Sequence, residues 1–173
     1  VLFMSMKKLL DITDFSRESL REVLNLMSFL KTNTGTYSQE LDKKVVANAF
    51  YKEDKNTEAA FTAAAVRMGG STMNFSKSAN GSLKDDVTVM SSVSDVIVMS
   101  HPKKGAARAA SLYATVPVIN AGDGGRAYPI KTLADFSTVW IEKNHISNMK
   151  IGFLGDFSNN SLVKNLLQCL SLY

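Results

Sequence analysis

The sequence predicts an α/β fold: a parallel sheet with helices on both faces, plus the start of a second α/β domain. Three observations carry this. Short apolar runs alternate with Ala-rich or amphipathic helical stretches along the chain. The connections between them are short. The last such unit, after about residue 142, follows a long helix and cannot bury both of its own faces. Alternation of this kind builds parallel sheets covered on both sides. Ligands in such sheets sit outside the carboxyl ends of the strands, so the turns at 52–57, 100–104 and 121–128 are expected to gather along one edge.

Each element follows in order. Ser16 is a natural N-cap with Glu18 in the first turn, and Leu20, Val23, Leu24, Met27 and Leu30 then recur at helical spacing to about Lys31. Residues 32–41, with Asn33, Gly35 and Ser38, read as a polar loop. Strands are expected at 45–51, 71–76, 95–100, 116–120 and 150–154, and helices near 56–68, 86–93, 105–114 and 130–142. A final helix runs from Ser161 to Leu172. The expected division is a first domain over 1–142 and the incomplete beginning of a second over 143–173. No internal repeat or low-complexity tract interrupts the pattern.

Composition narrows the function classes. With 173 residues, 45% of them hydrophobic and 21% charged, the chain has the balance of a soluble globular domain. The formal net charge is +4, but the basic pairs Lys7-Lys8, Lys43-Lys44 and Lys103-Lys104 are isolated, which reads as a solvated surface rather than a nucleic-acid interface. The single Cys169 excludes an internal disulfide and Cys-type metal clusters, and fits a buried inert thiol in a reducing compartment. No apolar run approaches the roughly 20 residues of a membrane helix, and the apolar stretch 1–6 lacks a signal-peptide layout. The expectation is a cytoplasmic protein with no metal, no cofactor, no membrane and no nucleic-acid partner.

The most informative segment is 50–61. The run 45–51 reads as a buried strand and Asn56-Thr57 as a helix opening, an arrangement whose free backbone N–H groups and positive dipole end favour an anion. Yet the turn supplies Asp54 and Glu58, carboxylates that repel a phosphate at close range. The scaffold of a phosphate site stands beside side chains that oppose one.

Several segments together resemble a known family. They are Ser76-Lys77-Ser78-Ala79-Asn80-Gly81-Ser82-Leu83, then Val98 to Arg108 with its Ser100-His101-Pro102, and Val116-Pro117-Val118-Ile119-Asn120-Ala121-Gly122-Asp123-Gly124. Their order and spacing are similar to those of the aspartate/ornithine carbamoyltransferases, the aspartate enzymes in particular. The resemblance implies a carbamoyl-phosphate half up to about 142, the start of an amino-acid-binding half after it, and a trimer with active sites between subunits. It also implies losses. The family's Ser-Thr-Arg-Thr-Arg phosphate loop falls on Asp54, Lys55, Asn56, Thr57 and Glu58, so only the Thr persists. The Arg before the family's first His-Pro pair is Ser100, and the family's His-Pro-x-Gln falls on Tyr128, Pro129, Ile130 and Lys131. The acceptor-binding Arg falls on Ser161. The mobile loop that brings lysines to a neighbouring subunit offers Lys84 alone.

Two readings of function follow. In the first, the chain is a degenerate carbamoyltransferase-like subunit, forming a homotrimer or a hetero-oligomer with an intact enzyme and binding carbamoyl phosphate weakly if at all. In the second it is an active aspartate carbamoyltransferase that uses Lys55, Lys131 and Lys84 as a replacement anion site. His101 reads either as a contact to a carbonyl or as a structural turn. Tyr128 reads as packing or a backbone hydrogen bond before catalysis. The Gly-rich stretch 120–125 reads as a strand-to-helix connector before a phosphate cradle.

Overall fold

The computed structural model describes residues 8–76, 81–143, 145–155, 157 and 160–173. Five parallel strands, β1 (Lys8–Leu9), β2 (Val45–Phe50), β3 (Ser71–Asn74), β4 (Val96–His101) and β5 (Val118–Asp123), form one sheet in the order β1-β5-β4-β2-β3. Six α-helices accompany them: α1 (Arg17–Thr32), α2 (Lys55–Arg67), α3 (Leu83–Val93), α4 (Ala106–Tyr113), α5 (Pro129–Lys143) and α6 (Ser161–Ser171). The parallel sheet with helices on both faces agrees with the expectation from sequence.

Alternation along the strands sorts the two faces. Ala47, Ala49, Ile97 and Met99 point to one side, where Val87 and Met90 of α3 and Ala107 and Ala110 of α4 cover them. Val46, Val98 and Ala121 point to the other, against Ala65 and Phe61 of α2. A further core lies where α1, α5 and α6 meet: Leu20, Val23 and Leu24 pack with Leu133, Phe136 and Cys169. The last helix is therefore part of a shared core, and burying Leu20, Leu24, Phe136 and Cys169 completely gives it a strong hydrophobic hold.

Local signals explain the element boundaries. Ser16 and Ser82 each form a capping box with the residue three positions on, Ser19 and Asp85. The Ser82 box starts α3 at Leu83, three residues before the helix expected at 86. The Asp95 carboxylate accepts the Val45 N–H at 2.9 Å and pairs with Lys44 at 2.9 Å, fixing the start of β2 beside β4. The strand expected at 150–154 is absent. Residues 151–154 form no ladder, no described strand lies beside them to pair with, and Leu154 is fully exposed. An apolar run becomes a strand only where a neighbour accepts its backbone bonds. The two-residue β1, too short to show a period, is the strand the sequence did not announce. Its neighbourhood is tied to β5 by Asn120, completely buried, whose Nδ2 donates to the Leu10 carbonyl at 2.8 Å.

At the carboxyl edge two connections touch. Gly124 has φ +53°, and a Cβ there would meet the Pro102 carbonyl oxygen at 2.5 Å and the Lys104 nitrogen at 2.6 Å. Only glycine allows the β4–α4 and β5–α5 loops to approach this closely.

Candidate functional site

β2 and β4 are neighbours from which the chain departs to opposite faces, through α2 on one side and α4 on the other. The crevice beyond their carboxyl ends is the topological switch point, the usual ligand position in open α/β sheets. A cavity of about 220 Å³ lies there, lined by Lys52, Glu53 and Asp54 after β2, Ser100 at the end of β4, Ala121 and Gly122 in β5, Tyr128 and Lys131 at the start of α5, and Leu162 of α6. The turns after 52, at 100 and from 121 do converge, as the strand–helix pattern predicts.

Its geometry starts with a backbone fastening. The Ser100 carbonyl accepts N–H groups from Tyr51 at 2.8 Å and Lys52 at 3.2 Å, which holds the β2 exit against β4. The Ser100 side chain, 2% exposed, borders the cavity and its hydroxyl makes no hydrogen bond to a described residue. Gly122 leaves room beside it: a Cβ there would stand 3.4 Å from both Ser100 Oγ and the Tyr128 ring. The Tyr128 N–H donates to Asn165 Oδ1 at 3.0 Å, so α6 is pinned to the start of α5 and Leu162 becomes part of the wall.

Asp54 governs the electrostatics. It is the N-cap of α2, and its Oδ1 accepts the Thr57 N–H at 3.1 Å. A carboxylate thus already sits on the amides and positive dipole end of this helix. Burial pushes the Asp54 carboxyl up, but the Thr57 amide and hydroxyl together with the nearby Lys131 and Lys52 ammonium groups outweigh it and hold the group below the ordinary carboxylate range. Asp54 is therefore ionised at neutral pH, and its charge is answered by the same lysines that an incoming anion would need. With Glu53 also on the wall, two carboxylates oppose two ammonium groups around the cavity.

The other expected site residues are dispersed. Lys55 points to solvent and pairs with Glu53 at 3.0 Å, with the two side chains 83% and 75% exposed; it does not line the cavity, and neither does its neighbour Asn56 in the first turn of α2. Thr57 serves as the capping partner of Asp54. Lys84 belongs to α3, its ammonium 5.8 Å from the centre of the Tyr113 ring. His101 is 8% exposed, accepts the Lys103 N–H on Nδ1 at 2.9 Å and meets the Tyr51 ring edge-on with centroids 5.5 Å apart. Ser161 is the first residue of α6, and Leu162 beside it is the one that reaches the cavity. The segment 77–80 of the resemblance lies outside the described residues.

Lys52, Leu162 and Asn165 were not foreseen. Lys52 carried a usable signal, since it follows the carboxyl end of a buried strand. The roles of Leu162 and Asn165 depend on where α6 docks, which no local pattern announces. Among the described residues no group of acidic, His or Cys side chains has the layout of a metal site, and no helix is long and apolar enough to cross a membrane.

Comparison with known proteins agrees with this geometry. The model of the family described as aspartate/ornithine carbamoyltransferase, carbamoyl-P binding domain, matches residues 7–140. An aspartate carbamoyltransferase catalytic subunit of Clostridium botulinum is 38% identical over 173 residues, covering 96% of this chain and 56% of the relative. A solved catalytic subunit of M. jannaschii aspartate transcarbamoylase superposes with a TM-score of 0.90 at 36% identity, over 97% of this chain and 57% of that one. The Trypanosoma cruzi aspartate transcarbamoylase in complex with N-(phosphonacetyl)-L-aspartic acid gives 0.88 at 30% identity, over 98% and 57%. The chain thus spans little more than half the length of these relatives.

Proposed function

Because this chain belongs to the aspartate/ornithine carbamoyltransferase family, we propose that it is an aspartate carbamoyltransferase-like subunit that has lost catalysis and assembles with an intact carbamoyltransferase of pyrimidine biosynthesis in the cytoplasm. The observation that carries this is Asp54 as the cap of α2, an anion of the chain's own where the resemblance puts the family's phosphate loop. In the family reaction an amine attacks the carbamoyl carbon, the carbonyl oxygen becomes an oxyanion in a tetrahedral intermediate, and phosphate departs. Such catalysis depends on fixed positive donors where charge develops, and losing one costs about 2.7–4 kcal/mol of transition-state stabilisation. The resemblance puts Ser100 at the position of one Arg, Asn56 at that of another and Tyr128 at that of the His, and on that reading several donors are missing together, even allowing for non-additivity.

The surface supports an assembling role. Among the described residues no strand pairs with the outer side of edge strand β3, where Met73 is 40% exposed, and Val66 on the adjoining α2 is 60% exposed. An open sheet edge flanked by apolar side chains is a pairing surface. We assign residues up to 142 to a carbamoyl-phosphate-binding-like domain and those from 143 to the opening of an amino-acid-binding domain. Co-expression with an intact aspartate carbamoyltransferase catalytic subunit, followed by size exclusion and activity assay, tests the reading. A mixed oligomer with altered activity is expected; separate elution with unchanged activity would remove it.

A second reading, an active enzyme, is favoured by one observation: Lys52 and Lys131 border the same cavity as the Ser100 hydroxyl. Lysines are point charges without the bidentate fork of Arg, but two of them could grip a phosphonate. Tight binding of N-(phosphonacetyl)-L-aspartic acid to this chain alone would select that reading over the first.

A further inference from the structure

Four features meet at the switch-point cavity: the N-terminus of the 13-residue α2, the ammonium groups of Lys52 and Lys131, and the hydroxyl of Ser100, a residue 2% exposed. All four are groups that bind an oxyanion. What opposes an oxyanion is the Asp54 carboxylate, which takes the Thr57 N–H and the field of both lysines. We propose that Asp54 is the specificity-determining residue of this pocket, an internal anion standing where a ligand phosphate would bind, so that removing its charge alone converts the pocket into an inorganic-phosphate site. This inference rests on the non-catalytic reading above, in that the unaltered chain holds phosphate weakly.

The conversion needs no new donor. Asn and Ser both cap helices by accepting an N–H as Asp does, so Asp54→Asn and Asp54→Ser keep α2 intact while freeing Lys52 and Lys131. The remaining carboxylate, Glu53, is already paired with Lys55 at the surface. The charge of Asp54 thus separates a self-neutralised pocket from a cationic one.

Titration of the full chain and its variants with inorganic phosphate, read by calorimetry, tests this. Asp54→Asn and Asp54→Ser are expected to bind phosphate at least about tenfold more tightly than the unaltered chain, a change equivalent to about 1.4 kcal/mol. Adding Lys131→Gln to either is expected to abolish the gain. Asp42→Asn, which removes a carboxylate from an exposed loop, is expected to leave phosphate binding unchanged. Weak, unaltered binding in both folded Asp54 variants would overturn the inference alone, as would an equal gain in Asp42→Asn. Tight phosphate binding by the unaltered chain would overturn the inference and the non-catalytic reading together.

Discussion

The Asn165 side chain, 5% exposed on α6, uses its Oδ1 to accept the Tyr128 N–H at 3.0 Å and its Nδ2 to reach Gln168 at 3.2 Å. It is a polar pin in an otherwise apolar seam, and removing it leaves a donor without a partner. Asn165→Leu is expected to lower stability by about 1–3 kcal/mol in chemical denaturation, the usual cost of orphaning a buried donor. A loss of under a few tenths would show that water replaces the side chain. The negative charge of Asp54 in the turn after β2 was legible from sequence, but its role as the cap of α2 was not, because the helix was expected to open at Asn56 and it starts at Lys55. The active-enzyme reading counts Lys55 in a replacement anion site, yet Lys55 faces solvent and Lys52, which that reading does not name, borders the cavity. In a turn, side-chain direction follows from how the loop is tied down, here by the Ser100 carbonyl, and residue spacing does not encode that.

Elements follow the sequence where an apolar period or the Ser16 cap defines them, whereas α3 starts at Leu83, three residues before its expected start, because the Ser82 cap was not among those foreseen. Ser16 and Ser82 mark their helices through capping boxes, and the buried strands β2, β4 and β5 show as apolar runs. The expectation failed at 150–154, whose composition suits a strand but which has no described strand beside it. It also missed β1, which exists only because β5 offers it an edge. The loop contact at Gly124 is an element-scale feature that residue type signals only afterwards. Gly124→Ala forces a methyl to within 2.5 Å of the Pro102 carbonyl at a left-handed φ of +53°. It is expected to cost roughly 1–3 kcal/mol, read as a lower thermal midpoint, and an unchanged midpoint would mean that the two loops part without penalty.

For the whole molecule, the strand order places the site and the buried ionisable groups set its pH limits. Burial pushes the Cys169 thiol from 9.0 up to about 12, and burial likewise raises the Tyr51 and Tyr173 hydroxyls. A group raised on folding stabilises fully below its unfolded value and loses that contribution as pH climbs towards its folded value. Stability should therefore fall as pH rises from about 9 towards 12, measured as a declining urea midpoint; a flat profile over that span would contradict the burial of these groups. On the acid side the sign reverses. Asp95, held low by the Val45 amide and Lys44, contributes above the ordinary carboxylate value and is lost as pH falls below it.

On the reading proposed here, the Asp54 carboxylate stands in the switch-point pocket in place of a ligand's phosphate. A calorimetric titration of the purified chain with carbamoyl phosphate bears on it most directly. No saturation is expected below about 1 mM, a binding free energy weaker than about −4 kcal/mol. Saturation near 1 μM, roughly −8 kcal/mol, would contradict it.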